Sequence, residues 1–156
     1  MKDEPHILVV DDDTGLADTL VEYLTRLGYS AQAAYNGKEG LVLFERGEFT
    51  VVITDLMMPE MNGMAMLQAI RKLDPDALVI MLTGYGTIES AVTAIKSGAY
   101  DFITKPLKLE EIEITVQRAL ERDSMFRRMR RFRSLFFFSS AVLVVGLVAF
   151  LVFLLG

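Results

Sequence analysis

The first 124 residues alternate between two hydrophobic rhythms. Apolar runs of strand length appear at His6–Val10, Ser30–Ala34, Phe49–Thr54, Leu78–Leu82 and Tyr100–Ile103. Between them, apolar positions recur at helical spacing over Thr14–Leu27, Gly37–Arg46, Met64–Leu73 and Thr87–Ser97, and a fifth such segment starts near Leu109. Ile7–Val10 and Val51–Ile53 are solidly apolar, as expected when both faces of a parallel strand are covered. Five strand–helix units predict a doubly wound α/β domain. The breakers agree with this division. Gly28 follows Leu27 where a helix-ending glycine belongs. Asn36-Gly37 marks a turn, Asp74-Pro75 stops the third helix, and Gly98 closes the fourth.

After residue 124 the rhythm disappears. Met125–Arg133 reads MFRRMRRFR, and Leu135–Leu155 follows with 21 residues that carry no charge. At about 1.5 Å per residue, such a helix crosses a hydrocarbon core of about 30 Å. Only Ser139 and Ser140 are polar there, and serine can bond back to its own helix. The expected organisation is a domain over 1–124, a basic helical linker over 125–134 and a transmembrane helix over 135–155. A buried or dimer-forming C-terminal helix is the soluble alternative. Gly146 has no small residue four positions away on either side, so no small-xxx-small motif is present. No Gly or Pro interrupts 108–145, so the fifth helix can continue toward the span.

Charge sharpens this split. Residues 1–124 hold 11 basic and 21 acidic side chains, a net −10, while 125–156 hold five arginines and no acid. The acidic body argues against nucleic-acid binding. The arginines before the span favour a cytoplasmic N-terminal domain on the inner membrane, with the basic stretch near anionic headgroups of the lipid bilayer. With no cysteine and one histidine, His6, thiolate and multi-histidine metal sites within the chain are excluded.

The unusual residues gather at strand ends, where ligands bind in such sheets. Strand one ends in Asp11-Asp12-Asp13, strand three in Asp55, strand four in Thr83-Gly84, and strand five leads into Lys105-Pro106. A sheet of order 2-1-3-4-5 places all four elements on one rim. Crowded carboxylates repel and need a counter-charge. Oxygen ligands with partial hydration suit Mg2+. Asp55 could then attack phosphorus in line, Lys105 would supply a fixed positive charge, and the Thr83 hydroxyl would donate to the new phosphate. Asp13, next to Thr14, reads as the cap of the first helix. His6 reads as a strand-entry residue. Met57, Met58, Met61, Met64 and Met66 read as loop packing and core rather than a copper site.

ILVVDDD, ITDLMMPEMNGM, VIMLTGYG and GAYDFITKPL, in that order, resemble the receiver domain of two-component response regulators over about residues 5–122. The resemblance implies a (βα)5 flavodoxin-like fold and Mg2+-dependent phosphoryl transfer from a sensor histidine kinase or phosphotransfer protein. It implies that Asp11 and Asp12 hold the metal with Asp55 and the Met57 backbone carbonyl, that Asp55 accepts phosphate, and that Thr83 and Lys105 read it. It implies a cis bond before Pro106 and an inward swing of Phe102 on activation. The side formed by helix four, strand five and helix five is then the face that switches, and one that can pair two copies. Tyr85 and apolar Met57 flank the acceptor and would hinder water, giving slow self-dephosphorylation.

Two other classes compete. A Mg2+-dependent phosphatase with an aspartyl nucleophile needs a second acid two residues later, and that position is Met57. A binding module with a vestigial site would not require the intact Asp, Thr and Lys set. The expectation is a phosphoaccepting regulator, not an enzyme.

Overall fold

A computed structural model describes residues 5–47, 49–84 and 88–125. Five strands form one parallel sheet: β1 (His6–Val10), β2 (Ser30–Ala34), β3 (Val51–Asp55), β4 (Leu78–Thr83) and β5 (Asp101–Thr104). Their order is β2-β1-β3-β4-β5, as expected. Four helices alternate with them: α1 (Thr14–Arg26), α2 (Gly37–Arg46), α3 (Gly63–Leu73) and α4 (Ile88–Lys96). The chain divides into a unit over 1–120 and another over 121–156. Helix α5 covers 109–120 of the first, and residues 121–125 of the second are helical too.

Strand alternation sorts the core into two layers. Ile7, Val9, Val51, Ile53, Ile80 and Leu82 pack with Leu20 and Leu24 of α1 and Ile112 and Val116 of α5. Leu8, Val10, Val52, Val79 and Met81 pack with Phe44 of α2, Leu67 and Ile70 of α3 and Ala94 of α4. The central strands are buried on both faces, which explains their unbroken apolar runs.

Local signals set the helix ends. Asp13 caps α1, its side chain accepting the Leu16 N–H at 3.0 Å. Gly28 has φ 90° and Gly98 has φ 100°. After α1, the Gly28 and Tyr29 amides donate to the Thr25 and Leu24 carbonyls; after α4, the Gly98 and Ala99 amides donate to Ile95 and Ala94. This paired closure needs a left-handed residue, which glycine adopts at least cost.

Several boundaries move by one or two residues from the expected ones. Strand β3 starts at Val51, not Phe49, and runs on to Asp55, which pairs with Leu82. Phe49 is apolar because it is buried outside the ladder, with its ring 4.2 Å from that of His6. Strand β4 gains Thr83, and β5 spans Asp101–Thr104 because the ladder runs from Ile80–Asp101 to Thr83–Thr104. Leu27 is the cap of α1 rather than its last turn, and Gly63 joins α3 because Asn62 caps it. Ser97 follows α4, and Thr87 lies outside the described residues. The linker beyond Met125 and the expected span over 135–155 lie outside them as well. Among the described residues, no helix is long and apolar enough to cross a membrane.

Candidate phosphoacceptor site

The register of the central strands builds the rim. Ile7 pairs with Val51 and Val10 with Thr54, so one further step sets Asp11 beside Asp55. Both continue the odd-numbered face of their strands and project to the same side. Asp11 is fully buried and Asp55 is 4% exposed. Lys105 follows β5, two strands from β3, and its backbone N–H donates to the Thr83 carbonyl at 2.8 Å. The lysine stem spans the remaining distance. Its Nζ lies 2.7 Å from Asp55 Oδ1 and 2.8 Å from Asp11 Oδ2.

Each carboxylate has a second partner. Asp11 Oδ1 accepts the Asp13 N–H at 2.9 Å, and Asp55 Oδ2 accepts the Met57 N–H at 2.7 Å. Burial pushes the Asp11 carboxyl above its ordinary range, although Lys105 and the Asp13 amide pull it down; the Asp55 charge adds to the rise. Burial works against the Lys105 ammonium, but its bonds to Asp11 and Asp55 outweigh this and hold its pKa above the usual lysine value. One cation thus serves two buried acids, and for Asp11 it does not overcome the cost of burial.

The structure brings Asp11, Asp55 and Lys105 together. Asp12 is exposed and takes no part in that contact. No group of three or more His, Cys, Asp or Glu side chains close enough to hold a metal occurs among the described residues. The donor chemistry still suits a hard cation. Two buried carboxylates share one ammonium, Asp12 adjoins Asp11 in sequence, and a partly hydrated ion needs few protein ligands. Thr83 ends β4 and is buried. Phe102 is half-buried on β5, against the core layer under α2, α3 and α4. Met57 is 65% exposed. The Lys105-Pro106 bond is cis. Tyr85 lies outside the described residues.

Three supporting features escape a reading based on strand ends. A Cβ on Gly63 would stand 2.2 Å from the Asp55 carbonyl oxygen, so only glycine lets α3 start this close to Asp55. The Asn62-Gly63 pair, a turn signal before an apolar helix, carries that information in the sequence. Lys38 and Glu60 form an ion pair beside the same loop, and no local pattern announces it. Arg71 of α3 donates from Nε to the Gly98 carbonyl at 3.0 Å, fastening the end of α4.

Known proteins share this sequence pattern and this fold. Residues 7–117 match the response regulator receiver domain family. The transcriptional regulatory protein GlrR of Escherichia coli K12 is 41% identical over 119 residues, covering 76% of this chain and 27% of that protein. The regulatory protein AtoC of the same organism is 37% identical over 124 residues, covering 80% of this chain and 27% of that one. The chain therefore spans about a quarter of the length of these curated relatives. Among solved structures, a receiver domain protein from Clostridium thermocellum superposes with a TM-score of 0.75 at 33% identity, covering 78% of this chain and 98% of that one. A CheY-like receiver domain protein from Methanospirillum hungatei gives 0.75 at 31% identity, with the same coverages. A matching family over most of the chain, and whole receiver domains that superpose on it, make this protein a member of the response regulator receiver domain family.

Proposed function

We propose that Asp55 accepts a phosphoryl group from the phosphohistidine of a partner histidine kinase or phosphotransfer protein, in a phosphorelay that needs Mg2+. The observation that carries this reading is the Lys105 ammonium between the buried carboxylates of Asp55 and Asp11. Asp11, Asp12, Asp55 and the Met57 carbonyl would hold the cation. When bound, it neutralises the acids and draws in an anionic donor. A carboxylate oxygen of Asp55 forms the new P–O bond as the P–N bond breaks. The electron pair of the broken bond leaves with the imidazole nitrogen, which takes up a proton. Lys105 and the Met57 N–H already face the acceptor oxygens and meet the added negative charge. The Thr83 hydroxyl donates to the phosphoryl group, and Phe102 follows it inward. The α4–β5–α5 face then shifts its equilibrium between two arrangements and meets a partner or a second copy. Met57 and Tyr85 slow loss of the phosphoryl group, so the chain acts as a regulator and not as a turnover enzyme.

Incubation of the purified protein with Mg2+ and a small phosphodonor, read by intact mass, tests this. The wild type gains one phosphoryl group and Asp55→Asn gains none. No uptake by the wild type refutes the reading. Rapid turnover of the donor refutes it in favour of a phosphatase.

The name of GlrR speaks of transcriptional regulation, but the likeness reaches about a quarter of that protein's length and supports only the receiver chemistry. For this chain the acidic body argues against nucleic acid. The 21 uncharged residues over 135–155, after five arginines, support a membrane span with the receiver in the cytoplasm. Fractionation of cells that express the chain with and without residues 125–156 tests it. The longer form is expected in the membrane pellet and the shorter one in the supernatant.

A further inference from the structure

Seven residues, 56–62, join Asp55 to α3, and both ends of this loop are pinned. The Gly63 N–H donates to the Leu56 carbonyl at 3.0 Å, and the Met57 N–H donates to Asp55 Oδ2 at 2.7 Å. The middle is strained. Glu60 has φ 61°, the only positive φ of a non-glycine residue among those described. The Met61 N–H donates back to the Pro59 carbonyl at 2.6 Å, closing a three-residue turn around Glu60. Such a turn, with a positive φ at its centre, is rare and strained.

The first turn of α2 grips this strained segment at two points. Gly37 lies so close to the Met61 carbonyl that a Cβ there would stand 2.4 Å from it. The next residue, Lys38, places Nζ 2.5 Å from Glu60 Oε2. The hydrogen bond from Lys38, and then its charge, hold the Glu60 carboxyl below the ordinary glutamate range. Both side chains are exposed, 63% and 68%, and an isolated exposed pair is weak. Weakness does not make it idle. A residue in an uncommon backbone conformation persists only where its surroundings fix it, so even a weak contact shifts that balance severalfold.

We propose that Lys38 is a positioning residue: through Glu60 it straps the loop after the acceptor to α2 and so holds the Met57 backbone beside Asp55. The strap itself is independent of metal. Its effect on Mg2+ binding rests on the function proposed above.

The test uses the full chain in detergent micelles. Amide exchange is measured without metal, and Mg2+ is then titrated while the Met57 amide resonance is followed. Lys38→Met should speed exchange at Met61 and Gly63 about two- to five-fold and weaken Mg2+ binding by a similar factor, with the Leu16 amide unchanged. Glu60→Gly removes the pair but accepts positive φ without strain, so its loop should exchange near the wild-type rate. Adding Lys38→Met to Glu60→Gly should then change nothing. The swapped pair, Lys38→Glu with Glu60→Lys, should restore protection. Wild-type exchange and affinity in Lys38→Met overturn the proposal, as does an equal Lys38→Met effect when Glu60 is already glycine. Faster exchange with unchanged Mg2+ affinity overturns the positioning role. If the wild type itself shows no Mg2+-dependent shift, the proposed function fails, while the exchange arm still decides the strap.

Discussion

Two connections bring the rim acids into place; each returns a backbone N–H to its own acid and caps its own helix, and they differ in what else supports them. The β1–α1 turn is short and satisfies itself: the Asp13 N–H donates to Asp11, and the Asp13 side chain caps α1. The β3–α3 loop is longer and, beyond its own bonds, also depends on close approaches and neighbours. It needs Gly63 against the Asp55 carbonyl, Gly37 against the Met61 carbonyl, and Lys38 against Glu60. The contrast teaches that an acidic pair can be held by one self-contained turn and one borrowed support. The borrowed side carries Asp55, the acceptor in the proposed function.

The sharpest break in that comparison is chemical. Asp55→Asn should end phosphoryl uptake altogether, whereas Asp13→Ala, in the other connection, should leave uptake close to wild type; radiolabelled or intact-mass assays with Mg2+ and a small donor measure both. A next test is steric. Gly63→Ala should destabilise the fold by about 3 kcal/mol, because the new Cβ meets backbone that cannot move aside. Gly15→Ala, in the first turn of α1, meets only Asp13 Oδ1 at 3.4 Å and should be neutral or stabilising by about 0.5 kcal/mol. Urea unfolding of the two variants side by side decides whether the connections differ as described. Equal costs would remove the contrast.

Lys105→Met acts on both connections at once. It strands two buried carboxylates, and the metal-free protein should lose about 2 kcal/mol near neutral pH. The sign of the pH dependence follows from Asp11. An acid held above its unfolded value costs stability above its folded pKa and none below 3.8. Without Lys105 the Asp11 carboxyl rises further, so the deficit of Lys105→Met is larger at higher pH and shrinks as the pH falls and Asp11 takes up its proton. Denaturation at pH 7 and pH 5 measures this. The smallest losses belong to the caps. Asp13→Ala and Asn62→Ala each remove one bond to a helix N-terminus and should cost about 1 kcal/mol. Similar values would place the difference between the connections in their tertiary contacts and not in their caps.

Much of this protein is legible in one dimension because the interactions behind it are local. Runs of buried valine, isoleucine and leucine mark the strands, since both sheet faces are covered. Asp13 and Gly28 mark helix ends, since a cap bonds residues two to five positions away. The acids at strand ends, together with Thr83 and Lys105, point to the rim because the doubly wound topology sends all those ends one way. Other features required the chain to fold back on itself. The ladder extends β3 to Asp55 and excludes Phe49, which hydrophobicity alone had joined to it. Register and strand parity set Asp11 beside Asp55, and the same alternation leaves Asp12 outside their contact. Lys105 reaches two strands across, and Lys38 reaches 22 residues along the chain to Glu60. The sequence by itself thus determined which chemistry is available and on which edge of the sheet. Only the tertiary structure decided which groups meet, because distances between residues far apart in the chain come from packing and ladder register, not from local spacing.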